Sequence, residues 1–367
     1  MKAGGKRFYR LGECNMKKVL FVSHTARLNR PYFDPSVRYR CFNLADELNE
    51  RGYYCKVTTS FEFIKNDISN FDIYVFHRPP FDPEFIDKVK WLQNNGKIVI
   101  ADYDDLVFDI ENALSSSLYK SGRASQRDVL NIFSRNSAAL NYFKYFTVST
   151  HPLGARIYEI SKEEVDVCVV HNALTEKYKS ICDQLRFNEA VEKVKGRVGY
   201  FSGTKSHDKD LALVADAIAE SCAGKELLFV GPIDVPEVIQ KACKVTQVPL
   251  VGYHEMVKLI ATCEVVIAPL ESSIFNSCKS GLKYFESAYA GCSVVATPIP
   301  DIDRFTSQGL FKATSLDEWK LALKQATESF ESIPESERIN SAKEQANIKL
   351  EVEKWLEFVN KISAEVS

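Results

Sequence analysis

The sequence predicts an α/β protein with two Rossmann-like domains, each built on a doubly wound parallel sheet, that face each other across a cleft. From Lys17 onward, short β-branched and aromatic runs alternate with amphipathic helical stretches, as is typical of parallel strands joined by helical crossovers. The alternation pauses at a polar stretch near residues 172–196 and then starts again. The chain has 367 residues, whereas one hydrophobic core rarely organises more than about 250–300 residues. Two domains are therefore expected.

The first predicted domain covers residues 16–180. It begins with strand KKVLFVSH, and the next helix, VRYRCFNLADELNERG, stops at Gly52, a residue type that commonly ends helices. Strands YCKVTT and DIYVFH, a helix that begins at Pro83, and strand KIVIAD come next. A long helix from about Ala124, strand YFTVST, a short helix and strand VDVCVVHN complete the alternation.

The second predicted domain covers residues 190–340 and begins with strand RVGYFSG. It continues with helix DLALVADAIAESC, strand KELLFVG, helix VPEVIQKAC, strand VPLVG, helix HEMVKLIATC and strand EVVIAPL. A helix from about residue 278 to residue 290 ends at Gly291 and leads into strand CSVVATP. Residues 341–367 form a last segment, in which NIKLEVEKWLEFVNKI carries an apolar helical stripe.

Composition and charge restrict the partners and the location of the protein. The formal net charge is −2, so no global field attracts nucleic acid and we expect no nucleic-acid partner. The uncharged run at 287–300 is shorter than the roughly 20 apolar residues that span a bilayer. The basic N-terminus lacks the apolar segment of a signal peptide, and the scattered cysteines without C-x-x-C indicate reduced thiols. These features predict a cytoplasmic location.

The loop FSGTKSHDKD follows the first strand of the second domain and is a candidate phosphate site. Ligands of open α/β sheets bind beyond the carboxyl ends of the strands, and small residues before a helix leave backbone N–H groups accessible to anions. The alternative is a helix-capping loop with solvated lysines. The candidate residues are Ser202, Gly203, Thr204 and Lys205.

Charged loops also follow strands of the first domain. The segment SHTARLNRPYFDPSVRYR is basic and contains Arg38, and HRPPFDPE places His77 and Arg78 at a strand end. A carboxylate cluster after strand KIVIA would suit a divalent cation, a catalytic base or sugar hydroxyls. Helix capping and solvation explain one or two members of this cluster but not all four: Asp102, Asp104, Asp105 and Asp109.

The stretch KSGLKYFESAYAGCSVVATPIP places two cations and a carboxylate on one predicted helical face: Lys279, Lys283 and Glu286. Asn276 and Ser280 lie at the predicted N-terminus, which suits anions. Glu286 lies about two turns farther along, where its carboxylate would accept hydrogen bonds from ribose hydroxyls. The pattern therefore matches a nucleotide diphosphate. The alternative is a Lys283–Glu286 pair on the surface, which would contribute little.

At these residues the sequence resembles the GT-B glycosyltransferases, particularly the retaining family-4 group and bacterial enzymes that build surface polysaccharides. YFSGTKSHDKDL resembles their phosphate loop, VGYHEMVKLIATCEVVIAPL their base-binding segment, and KSGLKYFESAYAGCSVVATP their E-x7-E region. The resemblance implies a nucleotide-sugar donor on the second domain and a glycan or lipid-linked acceptor on the first. It also implies a terminal helix that crosses back to the first domain, and catalysis without a metal or other cofactor.

The resemblance also implies roles for single residues. Glu286 matches the second glutamate of E-x7-E and would contact ribose, and Gly252 and Tyr253 would lie beside the base. Residues 202–205 and 279–283 would surround the diphosphate. The acceptor would lie near Arg38, His77 and Arg78. The catalytic candidates are Asp104, Asp105, Lys205 and Lys283.

The sequence departs from the family at three places. The usual arginine of the phosphate loop is missing, so Lys205 or Lys209 would have to serve. Cys278 stands where the first glutamate of E-x7-E belongs, and Glu271 or Asn276 would have to replace the missing contact with the donor sugar. Many relatives have a histidine where this chain has DYDD, so that Asp104 or Asp105 would face the donor sugar. A carboxylate acting there as an inverting base would overturn the retaining assignment.

Other functions stay open from the sequence alone. A catalytically silent GT-B subunit that scaffolds a polysaccharide-synthesis complex is one alternative, and a nucleotide-sugar epimerase is another. A nicotinamide dehydrogenase is disfavoured because no G-x-G-x-x-G follows the first strand of either half. Peripheral association with the inner face of the membrane is also left open.

Overall fold

The first half of the chain forms a parallel sheet. In the computed structural model, which describes residues 17–66, 68–161, 164–188, 191–203 and 208–366, this sheet has the strand order β2-β1-β3-β4-β5-β6. Every neighbouring pair in it is parallel. Its strands are β1 (Lys18–Ser23), β2 (Tyr54–Thr59), β3 (Ile73–His77), β4 (Ile98–Tyr103), β5 (Tyr145–Val148) and β6 (Asp166–Val169).

The second half forms a second parallel sheet, with the order β12-β11-β10-β7-β8-β9. We call each sheet with its packed helices the first and the second domain. Both strand orders turn back on themselves beside the first strand of their sheet, so both sheets are doubly wound. The strands are β7 (Val198–Phe201), β8 (Glu226–Val230), β9 (Lys244–Val248), β10 (Val265–Ala268), β11 (Ser293–Ala296) and β12 (Leu310–Lys312).

Helices connect the strands in both domains. Two π-helical turns, Arg38–Phe42 and Gln184–Asn188, and two 3-10 turns, Pro31–Phe33 and Ile110–Ser115, interrupt the regular pattern. The α-helices of the first half are α1 (Pro35–Val37), α2 (Asn43–Glu50), α3 (Ser60–Lys65), α4 (Pro83–Asn94), α5 (Ser117–Lys120), α6 (Gln126–Leu140), α7 (His151–Ile160) and α8 (Glu176–Asp183). Those of the second half are α9 (Asp208–Leu213), α10 (Ala215–Ser221), α11 (Glu237–Ala242), α12 (Tyr253–Ala261), α13 (Ile274–Ser277), α14 (Leu282–Tyr289), α15 (Pro300–Asp303), α16 (Leu316–Glu328), α17 (Glu335–Gln345) and α18 (Ile348–Val366).

The last helix, α18, returns to the first domain. Its apolar stripe, which includes Val352, Trp355 and Val359, shares one buried cluster with Val19 and Phe21 of strand β1. The rings of Phe21 and Trp355 lie 6.3 Å apart, centroid to centroid. The predicted fold class is thereby confirmed, including the terminal helix that crosses back. No helix in the described ranges is long and apolar enough to cross a membrane.

Two predicted elements are wrong in detail. The strand predicted at VPLVG lies one segment earlier, at Lys244–Val248, because Pro249 has no N–H group to continue the ladder. The helix predicted over residues 278–290 begins later than predicted, since α14 starts only at Leu282, and the separate short helix α13 already ends at Ser277. Between them, the Gly281 N–H donates to Asp301 Oδ2 at 2.6 Å, instead of to a carbonyl in a preceding helical turn. Lys279 and Ser280 therefore precede α14.

The segment around α13 ties the second domain to the first. Phe275 and Cys278 are both buried, at 1% exposure, in the apolar cluster that fills the first domain. The hydroxyl of Thr150, at the start of α7, donates to the Cys278 carbonyl at 2.8 Å. The position of the missing family glutamate is therefore used for packing between the domains.

Candidate active site

A cavity of about 250 Å³ lies between the carboxyl ends of the two sheets. Side chains that follow strands β3 and β4 form one wall, and the segment between α13 and α14 forms the other. Asn172, from the connection between the domains, also lines it. The charged or hydroxyl-bearing side chains around the cavity are Ser36, Arg78, Asp104, Asp105, Lys279, Ser280, Lys283 and Tyr284.

Asp104 is the anionic centre of the first-domain wall. Its Oδ1 accepts a hydrogen bond from Arg78 Nε at 2.7 Å and lies 3.0 Å from His77 Nε2. Burial alone would raise the pKa of Asp104, but Arg78 and His77 outweigh burial and hold that pKa well below its ordinary value. Asp104 therefore stays ionised. Arg78 reaches it from a left-handed backbone conformation, with φ of 51°, and such conformations concentrate at functional sites.

Asp105 has a different environment from its neighbour. Its Oδ1 accepts from the Leu106 N–H at 3.1 Å, and its Oδ2 lies 3.8 Å from Arg78 Nη2. Burial raises the pKa of Asp105, although the charges of Arg78 and Lys279 oppose the rise. The two adjacent carboxyl groups are thus unlike, since one is locked as an anion and the other is better suited to exchange a proton.

The opposite wall carries a buried ammonium group and a buried hydroxyl group. Within the described part of the chain, neither Lys283 Nζ nor Ser280 Oγ makes a hydrogen bond, although both atoms are buried. Lys283 Nζ lies 4.6 Å from the centroid of the Tyr200 ring. Burial lowers the pKa of Lys283 to about 8, against the attraction of Asp210 and with the repulsion of Lys279. An anion in the cavity would satisfy both groups.

The four aspartates predicted as a cluster do not converge. Asp102 lies within strand β4, and Arg40 Nε and Nη2 donate to its two oxygens at 2.9 and 2.6 Å. Asp109 caps the 3-10 turn at Asn112 and pairs with Arg156 at 2.7 Å. Among the described residues, no group of three or more His, Cys, Asp or Glu side chains is arranged to hold a metal ion. Two of the four are therefore structural.

Glu286 lies at a second position between the domains, beside residues predicted to contact the nucleoside. Tyr39 of the first domain donates its hydroxyl to Glu286 Oε1 at 2.5 Å. The Arg38 guanidinium lies 4.0 Å from the centroid of the Tyr253 ring, and Gly252, the N-cap residue of α12, directly precedes Tyr253. Burial raises the pKa of Glu286, although Tyr39 and Arg38 oppose the rise. A buried Glu286 bonded to Tyr39 rules out the surface Lys283–Glu286 pair.

Several predicted residues lie elsewhere than expected. His77, predicted to contact the acceptor, is 1% exposed, and its ring lies within hydrogen-bond distance of Asp104. Arg38, also predicted on the acceptor side, stacks on Tyr253 of the second domain, a residue predicted to lie beside the base. Asn276 donates to the Glu271 carbonyl at 2.9 Å and does not line the cavity.

Neither proposed substitute for the missing glutamate reaches the cavity. Asn276 is held as described, and the Glu271 carboxylate pairs with Lys120 of the first domain. Ser202 is buried and Gly203 exposed at the end of strand β7, whereas Thr204 and Lys205 lie outside the described residues. Gly231, after strand β8, packs against the Ser202 carbonyl. Its φ of 116° and this close approach leave no room for a side chain at position 231.

The sequence reasoning missed Asp301. Its Oδ1 lies 3.1 Å from His171 Nδ1 and accepts from Arg304 Nε at 2.9 Å, while its Oδ2 accepts from Gly281 N–H. This carboxylate thus joins the connection between the domains to the segment that carries Lys279 and Ser280. The rule that strand ends bear function would have indicated it, because Asp301 follows strand β11.

Comparisons with known proteins concern the second domain and the overall fold. Residues 195–328 match the family described as Glycosyl transferases group 1. No curated protein sequence matches the chain significantly. Among solved structures, sucrose-phosphate synthase from Thermosynechococcus elongatus is similar at 12% identity with a TM-score of 0.64, over 95% of this chain and 100% of that one.

Two further structures are similar over nearly the whole chain. HepE from Anabaena in complex with UDP and glucose shares 13% identity with a TM-score of 0.60, over 94% of this chain and 100% of HepE. A glycosyltransferase from Rickettsia africae shares 13% identity with a TM-score of 0.57, over 96% and 99% of the two chains. At such identities the likeness shows the fold. Residues 195–328 are therefore similar to a group 1 glycosyltransferase domain, and the chain shares the fold of these solved structures.

Proposed function

We propose that the protein transfers a sugar from a nucleoside diphosphate sugar to a glycan or lipid-linked acceptor in polysaccharide biosynthesis. One observation carries the proposal. Lys283 Nζ and Ser280 Oγ, which are buried and make no hydrogen bond to any described residue, belong to side chains that line a cavity between the domains opposite Asp104 and Asp105. Cations on one wall suit a diphosphate and carboxylates on the other suit sugar hydroxyls. HepE, which has the same fold, was crystallised with UDP and glucose.

The second-domain wall would stabilise the leaving diphosphate. Lys283, Ser280 and Lys279 would donate to its oxygens, where negative charge grows as the glycosidic bond breaks. Lys283 Nζ and Ser280 Oγ are buried, so water would screen their interaction with the diphosphate less than at an exposed site. We propose that they serve in place of a metal ion. Transfer should then persist after treatment with EDTA.

The first-domain wall would face the sugar. We propose a retaining reaction, in which the permanently ionised Asp104 stabilises positive charge that develops on the sugar ring. Asp105 would accept hydrogen bonds from sugar hydroxyls. NMR of the product made from an α-linked donor should show an α-linkage. A β-linkage would contradict retention and would favour Asp105 as an inverting base.

Nucleotide binding and turnover test the function. Thermal shift and hydrolysis would be measured with UDP-, GDP-, dTDP- and CMP-sugars. At least one donor should raise the melting temperature and be slowly hydrolysed without an acceptor. Stabilisation by none of them would contradict the proposal. Binding without turnover, with every acceptor tried, would favour the silent scaffolding subunit, and exchange of sugar stereochemistry without transfer would favour the epimerase.

Glu286 offers a sharper test of the donor site. Glu286→Ala should abolish transfer and weaken nucleotide binding, because it removes the carboxylate that we assign to ribose. Glu328→Ala, at an exposed position near the end of α16, is the matched control and should behave as wild type. Circular dichroism would verify that both variants are folded. Wild-type transfer by Glu286→Ala would count against this placement of the nucleoside.

A further inference from the structure

The π-helical turn at Arg38–Phe42 places a tyrosine of the first domain in the proposed nucleoside site of the second. Tyr39 is 4% exposed and Glu286 is 7% exposed, so the hydrogen bond between them is shielded from water. Beside it, Arg38 covers the Tyr253 ring that we place next to the base. The carboxylate and the ring are therefore both covered by first-domain side chains.

We propose that the Tyr39 hydroxyl occupies the ribose position at Glu286 in the nucleotide-free protein and that a nucleotide must displace it to bind. The inference rests on the proposed function and adds a residue that sets nucleotide affinity. A ribose diol that binds a carboxylate in the two-pronged arrangement donates to both of its oxygens, and one of them, Glu286 Oε1, already accepts from the Tyr39 hydroxyl. The phenol ring beside Glu286 also occupies space that the sugar ring would need.

Displacement of Tyr39 requires only a local movement. Arg40, in the same turn, is fixed by its paired hydrogen bonds to Asp102 and by a bond to the Val170 carbonyl. Arg38 is held less firmly, because its buried Nε has no hydrogen-bond partner within the described ranges. Two side chains can therefore leave the nucleoside site while the turn stays anchored. Single π-helical turns of this kind occur often at functional sites.

Competition of this kind predicts that removing the tyrosine hydroxyl tightens nucleotide binding. Tyr39→Phe keeps the aromatic packing but leaves Glu286 without its donor, so exchange with a ribose hydroxyl no longer costs a charged hydrogen bond. Isothermal titration with UDP, GDP and dTDP should show about tenfold tighter binding to Tyr39→Phe than to wild type. Tyr32→Phe is the matched control, since the Tyr32 hydroxyl contacts Lys177 at 3.4 Å and lies in the same segment. Its affinity should be unchanged.

Hydrogen exchange provides a second test of the displacement of Tyr39, and this test needs no variant. Adding the nucleotide that binds should speed amide exchange around residues 38–42 and slow it around residues 279–286. Nucleotide binding by Tyr39→Phe that is equal to or weaker than that of wild type would overturn the proposed competition between Tyr39 and ribose. Greater protection of residues 38–42 in the presence of nucleotide would overturn it as well. Either result would leave the proposed function intact. Failure of all three nucleotides to bind either chain would overturn the proposed function, and this inference with it.

Discussion

Lys283 shows how a single residue reveals the site. A buried ammonium group without a hydrogen-bond partner in the described chain costs stability, since desolvation penalises the charged form. Its contact with the Tyr200 ring offsets only part of that cost. Proteins commonly accept such costs at functional sites. The group is therefore best explained by the anion that it would bind.

The pKa of Lys283 predicts the pH dependence of nucleotide binding. Because burial lowers this pKa to about 8, the ammonium form is present below that pH and is lost as the pH rises through it. Affinity for UDP or GDP should therefore fall by up to about tenfold per pH unit above pH 8. Titration calorimetry between about pH 7.5 and 9.5 would measure it. In Lys283→Arg, whose guanidinium does not deprotonate in this range, affinity should stay level, and an equal decline in that variant would assign the effect to another group.

The elements show which features can be predicted from sequence. Alternating apolar runs predicted the strands and the doubly wound sheets, because burial patterns are local in sequence. The break between α13 and α14 was not predictable in that way, because Gly281 bonds to Asp301, twenty positions away. The paired role of Asp102 likewise depends on Arg40, which is distant in sequence. Residue type and strand-end position predicted some of the side chains that line the cavity, such as Asp104, Asp105 and Lys283, but not their partners.

Asp301 of helix α15 anchors the segment that carries Lys279 and Ser280, because it accepts from the Gly281 N–H. Asp301→Ala would leave the Gly281 N–H, His171 and Arg304 without this acceptor, so we expect a loss of about 3–5 kcal/mol in the free energy of unfolding. Nucleotide affinity should fall as the segment at Lys279 and Ser280 loses its anchor. Chemical denaturation and calorimetry would measure the two effects.

The matched control for this prediction lies on the same helix. Asp303 is 55% exposed at its side chain and pairs with Lys312, so Asp303→Ala should change the free energy of unfolding by less than about 1 kcal/mol. Equal stability of the two variants would contradict the role given to Asp301.

At the scale of the whole molecule, the two domains are interlocked. Phe275 and Cys278 enter the apolar core of the first domain, and α18 packs on its sheet. Tyr39–Glu286 and His171–Asp301 add polar contacts between the halves. The cavity exists only where both halves meet. The sequence predicted the return of α18 through its resemblance to GT-B enzymes, whereas nothing local in IFNSCK indicated which domain would bury Phe275.

Interlocking predicts that a change in the second domain destabilises the first. Phe275→Ala should lower the free energy of unfolding by about 3–5 kcal/mol, because it leaves a cavity in the first-domain core. Hydrogen exchange should speed up in strands β4 and β5. Ile274→Ala is the control, since the neighbouring Ile274 side chain is 54% exposed. Unchanged exchange in those strands with Phe275→Ala would show that the domains are stabilised independently.

We propose that the cavity binds the diphosphate of a sugar donor. Calorimetric titration of UDP, GDP and dTDP into wild type and Lys283→Met tests this binding directly. At least one nucleotide should bind wild type, and Lys283→Met should bind it at least about tenfold more weakly. The same variant should melt at a higher temperature, since an apolar side chain of similar length replaces a buried charge. Lys241→Met, at a side chain that is 74% exposed, should match wild type. Equal affinity of wild type and Lys283→Met would contradict the account.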